Sequence, residues 1–79
     1  MDHKTRTVEH YRDYELVSEI ESDAEGWRYA IHVLEHDGDN DHLRCKERSP
    51  IHFGTDIEAL RAAQIRGHEL VDALITERQ

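Results

Sequence analysis

The chain has little of what staples or interrupts a small fold. Cys45 is its single cysteine, so no internal disulfide can form. Pro50 is its single proline. No apolar segment at the start has the form of a leader, and no apolar run is long enough to cross a bilayer. The expectation is a cytoplasmic protein with no membrane partner. Positive charge is also scarce: ten Lys and Arg stand against eighteen Asp and Glu, a net charge of −8. Such a balance repels phosphate backbones, which makes nucleic acid an unfavoured partner unless cations are segregated into one patch.

Catalytic and metal motifs are missing as well. There is no His-Glu-x-x-His and no Cys-x-x-Cys. Asp37-Gly38-Asp39-Asn40-Asp41 opens like an EF-hand loop, but His42 and Arg48 stand where that loop needs a glycine and a bidentate glutamate. Cys45 falls on the inward phase of an alternating segment, where cysteine behaves as a small hydrophobe rather than a nucleophile. The reading is therefore a non-enzymatic domain with no catalytic residues, no cofactor and no assigned metal ligands.

What is present is a clustered set of apolar residues, 37% of the chain, among 35% charged residues. Seventy-nine residues suffice for one domain with a modest core. Residues 1–10 read as a flexible N-terminal tail, with Val8 the only large apolar residue beyond the initiator. From Tyr14 the pattern has period two: Tyr14, Leu16, Ser18 and Ile20 alternate with Glu15, Val17, Glu19 and Glu21. Ser22 to Gly26 is turn chemistry. A second strand then carries Trp27, Tyr29, Ile31 and Val33 on one face. Asp37-Gly38 predicts a hairpin turn. A shorter third strand from His42 to about Arg48 places Leu43 and Cys45 inward, and Pro50 ends it. Ile51 and Phe53 are read as pinning the following connection to the core.

Thr55-Asp56-Ile57-Glu58 has the form of a capping box. Behind it, Ile57, Leu60, Ala63, Gln64, Gly67, Leu70, Val71, Leu74 and Ile75 recur at helical spacing, predicting a rod of roughly 30 Å. Gly67 within that stripe predicts close approach of a bulky neighbour, with Trp27 the candidate. The fold class is α+β: a three-stranded antiparallel sheet with one C-terminal helix packed on one face, β-β-β-α, formed by residues 11–79.

Seven histidines invite a metal reading, with His32, His36 and His42 grouped near the second hairpin. The plainer reading is that these three face solvent. Arg28, Arg44, Lys46 and Arg48 are placed together on the open face of the sheet, as weak candidate contacts for a partner or an anion. Glu15, Glu19 and Glu21 share that face, so cross-strand ion pairs are the simpler explanation. Val17, Ala30 and Leu34 add a small apolar patch there. Uncovered edge strands and this face make self-association, as a homodimer, or docking of another protein the expected use.

Three segments carry a resemblance: Tyr11-Arg12-Asp13-Tyr14-Glu15-Leu16, Gly26-Trp27-Arg28-Tyr29-Ala30-Ile31, and Phe53-Gly54-Thr55-Asp56-Ile57-Glu58-Ala59 with Ala63, Gly67 and Asp72 behind it. Together they resemble a group of small uncharacterised bacterial domains with a Gly-Trp hairpin and a Phe-x-Thr helix start. That resemblance implies the β-β-β-α layout and transfers no activity. Gly54-Thr55 followed by Glu58-Ala59 is also similar to the helix entry of HicB-type antitoxin domains. The Pro-rich, glycine-marked segment that precedes that helix in those proteins is absent here. This similarity would imply an antitoxin or nucleic-acid-linked regulatory role.

Overall fold

Two-residue turns reverse the chain three times, and the sheet they produce has one strand more than the apolar pattern predicts. The structure, a computed structural model, describes residues 4–77. Strands β1 (Lys4–Tyr11), β2 (Tyr14–Asp23), β3 (Gly26–Asp37) and β4 (Asn40–Arg48) form an antiparallel meander in chain order, and α1 (Asp56–Glu77) follows. The α+β class with one C-terminal helix on an antiparallel sheet stands, but the sheet has four strands rather than three.

The added strand lies where a tail is expected. Lys4–Tyr11 pairs with β2 along its whole length, from Lys4 opposite Glu21 to Tyr11 opposite Tyr14. Positions 1–3 of the expected tail lie outside the described residues, as do positions 78 and 79 of the domain. An edge strand has no apolar alternation to show when neither of its faces is deeply covered. No residue of β1 is fully buried. Its order comes from the backbone ladder and from polar contacts to the helix.

Each turn meets its geometric demand differently. Between β1 and β2, Arg12 and Asp13 both have positive φ, 51° and 70°, the arrangement of a type I′ hairpin, here without glycine. Gly38 takes φ 63° at the first position of the β3–β4 turn. Gly26 has φ 133°, and a Cβ there would lie 2.8 Å from the Phe53 carbonyl oxygen. That closeness arises because Trp27 and Phe53 exchange backbone hydrogen bonds: Trp27 N–H donates at 2.9 Å and Phe53 N–H at 2.6 Å.

The core lies between the helix and the β2–β3 pair. Tyr14, Leu16, Ile20, Tyr29, Ile31 and Val33 meet Ala59, Ala63 and Val71. Ala59, Ala63, Gly67 and Val71 are the helix's buried residues and recur every fourth position. Three of the four are small, so the helix seats closely on the sheet. Gly67 does face a bulky neighbour, but it is Leu16 rather than Trp27: a Cβ at Gly67 would lie 3.2 Å from Leu16 Cδ1. Two further expectations are corrected. Ile57 and Gln64 are exposed, because the buried row runs through Ala59 instead. Ile51 is exposed too, and of that pair Phe53 is the one that packs on the core, its ring stacked on Tyr29. The helix begins as predicted, with Thr55 Oγ1 accepting from Glu58 N–H at 3.1 Å.

In β4 the register slips between Val33 and Leu34, so that Val33 pairs with Cys45 but Leu34 pairs with Leu43. Arg44 is the extra residue of this bulge. Leu43 is thereby thrown onto the open face, 55% exposed, instead of pointing inward. Cys45 keeps its place against the core.

Candidate functional site

The helix covers one face of the sheet and leaves the other open, and the open face is where chemistry-bearing side chains gather. The pairings place Val8, Val17, His32 and Lys46 in one row across the four strands, and His10, Glu15, Leu34 and Leu43 in the next. Val17 is buried among its longer neighbours, while Val8 and Leu43 are well exposed.

The face is polarised end to end. At the end holding the β2–β3 turn, Lys4, Arg28, Lys46 and Arg48 line a groove of about 140 Å³ together with Glu19 and Glu21. Lys4 pairs with Glu19 at 3.0 Å and Arg28 with Glu21 at 2.8 Å. The hydrogen bond from Lys4 holds the Glu19 carboxyl below its ordinary range. Lys46 and Arg48 form no ion pair among the described residues. At the opposite end, Glu15 and Asp41 flank His36 on this face, while Asp13 and Asp37 line the hollow shared with Glu35 and Arg44.

Three of the four predicted contact residues, Arg28, Lys46 and Arg48, are therefore brought together. Arg44 is not. The bulge turns it toward the helix side, where its guanidinium bonds Glu35 at 2.5 Å and 3.1 Å and shares a hollow with Tyr14, Leu74 and Glu77. That hydrogen bond raises the Arg44 pKa further above its already high value. A wider hollow of about 840 Å³ at this end has Arg12 and Arg44 in its wall. Both arginines are held by carboxylates, Arg12 by Asp72 at 3.1 Å.

The predicted histidine trio is not assembled either. His32 lies mid-face, 3.9 Å from Glu19. His42 is opposite Glu35 on the helix side, 3.9 Å from Asp37. His36 meets a different pair, His10 and Glu15, and the donor atoms of these three lie within 4.8 Å of one another. His10 Nε2 is 3.7 Å from one Glu15 oxygen and His36 Nε2 is 3.8 Å from the other. The second nitrogen of His36, Nδ1, is 2.5 Å from Asp41 Oδ1. Sequence reasoning misses His10 because it lies in the segment taken as a tail. The available signal is the two-residue turn at Arg12-Asp13, which sets His10 directly across from Glu15.

Comparison with family models, with curated proteins and with solved structures finds no match to this chain. Among the described residues, no helix is long and apolar enough to cross a membrane.

Proposed function

We propose that the chain is a non-enzymatic interaction domain that pairs with a second copy of itself, open sheet face to open sheet face. The observation that carries this reading is one open face on which exposed apolar side chains, Val8 and Leu43, lie between the groove of Lys46 and Arg48 and the carboxylates of Glu15 and Asp41. A two-fold axis lying in the interface and perpendicular to the strands sets the basic end of one copy over the acidic end of the other. Lys46 and Arg48, which form no ion pair among the described residues, then meet carboxylates at the acidic end of the second copy. Val8, Leu34 and Leu43 supply the apolar centre that such a contact needs. A reducing cytoplasm is the setting that fits a lone free thiol, Cys45.

The test is sedimentation equilibrium on the untagged protein from micromolar to near-millimolar concentration. A dimer is expected whose dissociation constant rises with salt and which Leu43→Glu or the Lys46→Glu/Arg48→Glu pair abolishes. A monomer throughout that range rejects this reading. The second reading, a HicB-like or nucleic-acid-linked regulatory module, draws support from Arg28, Lys46 and Arg48 lining one groove. It requires salt-dependent binding of single-stranded or duplex DNA, lost in the same charge-reversed variant.

A further inference from the structure

We infer that the acidic end of the open face holds a site for a divalent transition-metal ion of the zinc type, with His10, Glu15 and His36 as ligands and Asp41 orienting His36. Two neutral imidazoles and one carboxylate form a nitrogen-rich donor set that suits zinc, cobalt, nickel or copper better than magnesium or calcium. Such a site differs from the trio visible in the sequence, of which only His36 takes part.

The geometry is close to what an ion needs. Donors around a tetrahedral zinc with bonds of about 2.0–2.1 Å stand roughly 3.3 Å apart. Here the two histidine nitrogens are 3.7 Å and 3.8 Å from separate oxygens of Glu15. One donor from each of the three residues lies within 4.8 Å of the others, so closing on an ion takes side-chain rotations of up to about 1.5 Å, which the exposed His10 and His36 make freely. The His10 and His36 rings face each other with centroids 6.1 Å apart and planes 24° from parallel. The Glu15 carboxylate is held where both rings can reach it.

The independent pointer is Asp41. A carboxylate at His36 Nδ1 favours the tautomer with its proton on that atom, which leaves the Nε2 lone pair for a metal. Nε2 is the atom that faces Glu15. A carboxylate behind a histidine whose other nitrogen looks into a second carboxylate and a second imidazole is the arrangement that supports a bound ion. All four residues lie on paired strands rather than loops, so the ladder sets their spacing: His10 is opposite Glu15, and His36 is opposite Asp41. The open face leaves one coordination position to water.

The test is calorimetric titration of the untagged full chain with zinc, repeated with cobalt to read the ligand field by visible absorption. One ion per chain is expected. His10→Ala and His36→Ala should each weaken binding at least tenfold, and Asp41→Asn about tenfold. His32→Ala and His42→Ala should change it less than twofold. Circular dichroism of each variant checks that it is folded, and the exposure of His10 and His36 makes loss of fold unexpected. No zinc binding by the wild type overturns the site. So does binding that survives removal of His10 or His36, or that is lost equally in His42→Ala. The proposed dimer would set Lys46 and Arg48 of a second copy over this end, so the titration is made at dilute protein, where one ion per monomer is counted whether or not the chain pairs at higher concentration.

Discussion

Tyr11 and His68 stack with ring centroids 4.0 Å apart and planes 11° from parallel, joining the end of the first strand to the middle of the helix. The contact is reinforced on both sides. Tyr11 O–H donates to Asp72 Oδ1 at 3.0 Å, and His68 Nε2 lies 3.0 Å from Glu9 Oε1. Polar and aromatic contacts of this kind hold an edge strand that contributes no fully buried side chain.

Removing that stack should release β1 without melting the rest. Tyr11→Ala is expected to cost about 2 kcal/mol through lost apolar burial, stacking and the hydrogen bond. Tyr11→Phe should cost about 1 kcal/mol, since only the hydrogen bond to Asp72 goes. Amide hydrogen exchange is the direct check: β1 amides should exchange faster in Tyr11→Ala while Ile31 and Val33 stay protected. Unchanged protection of β1 would show that the ladder alone holds it.

A second test concerns Gly67 and Leu16. Alanine at Gly67 gains about 1 kcal/mol of helix propensity. It also presses a methyl group onto Leu16 Cδ1 at 3.2 Å, in a core where Leu16 has little room to retreat. Overpacking of that kind costs about 1–3 kcal/mol, so Gly67→Ala should be destabilising by about 1 kcal/mol net. In a Leu16→Ala background the clash is gone and the same change should stabilise by about 1 kcal/mol. Equal effects in the two backgrounds, measured by urea denaturation, would show that the contact carries no strain.

The bulge in β4 makes neighbouring substitutions unequal. Leu43→Asn removes an exposed side chain and should change the stability of the monomer by less than about 0.5 kcal/mol. Cys45→Asn places an amide against the core cluster and should cost about 1–3 kcal/mol. Denaturation at dilute protein, which removes any contribution from the proposed dimer, decides between this register and the regular one, in which both residues point inward.

Acid should weaken the fold through Glu19 and Asp23. Lys4 holds the Glu19 carboxyl below its ordinary value of 4.5, chiefly through their hydrogen bond. The Glu25 backbone N–H, donating at 2.8 Å, lowers Asp23 from its ordinary 3.8. Groups whose pKa is lower when folded stabilise the fold above their unfolded values, and that contribution vanishes as pH falls through the folded values. Wild-type stability is thus expected to fall below about pH 4.5. Glu19→Gln should be less stable than wild type near neutrality, and the difference should disappear in acid. A constant difference across that range would remove the ion pair as the cause.

Much of the framework is legible one residue at a time. The alternation from Tyr14 to Ile20 and from Trp27 to Val33 marks β2 and β3, because a half-covered strand must alternate. Thr55 and Glu58 mark the helix start because a cap satisfies orphan backbone N–H groups nearby in the chain. The candidate site is less legible. Arg28, Lys46 and Arg48 can be placed on the open face from their phase in the strands, but a single bulge removes Arg44 from that face and adds Leu43.

Local pattern, then, is enough to determine the central strands, their turns, the helix and an acidic chain whose basic residues include a group on one sheet face. Only the tertiary structure decides that Lys4–Tyr11 is a strand, that Gly67 meets Leu16, and that His10, Glu15 and His36 converge. The physical reason is the range of the interactions. Periodicity and capping act between residues a few positions apart, so sequence neighbours reveal them. A polar edge strand is ordered by the ladder of another strand, and the histidine pair is brought together by the register of three strands at once. One residue of slip moves a side chain to the opposite face of the sheet.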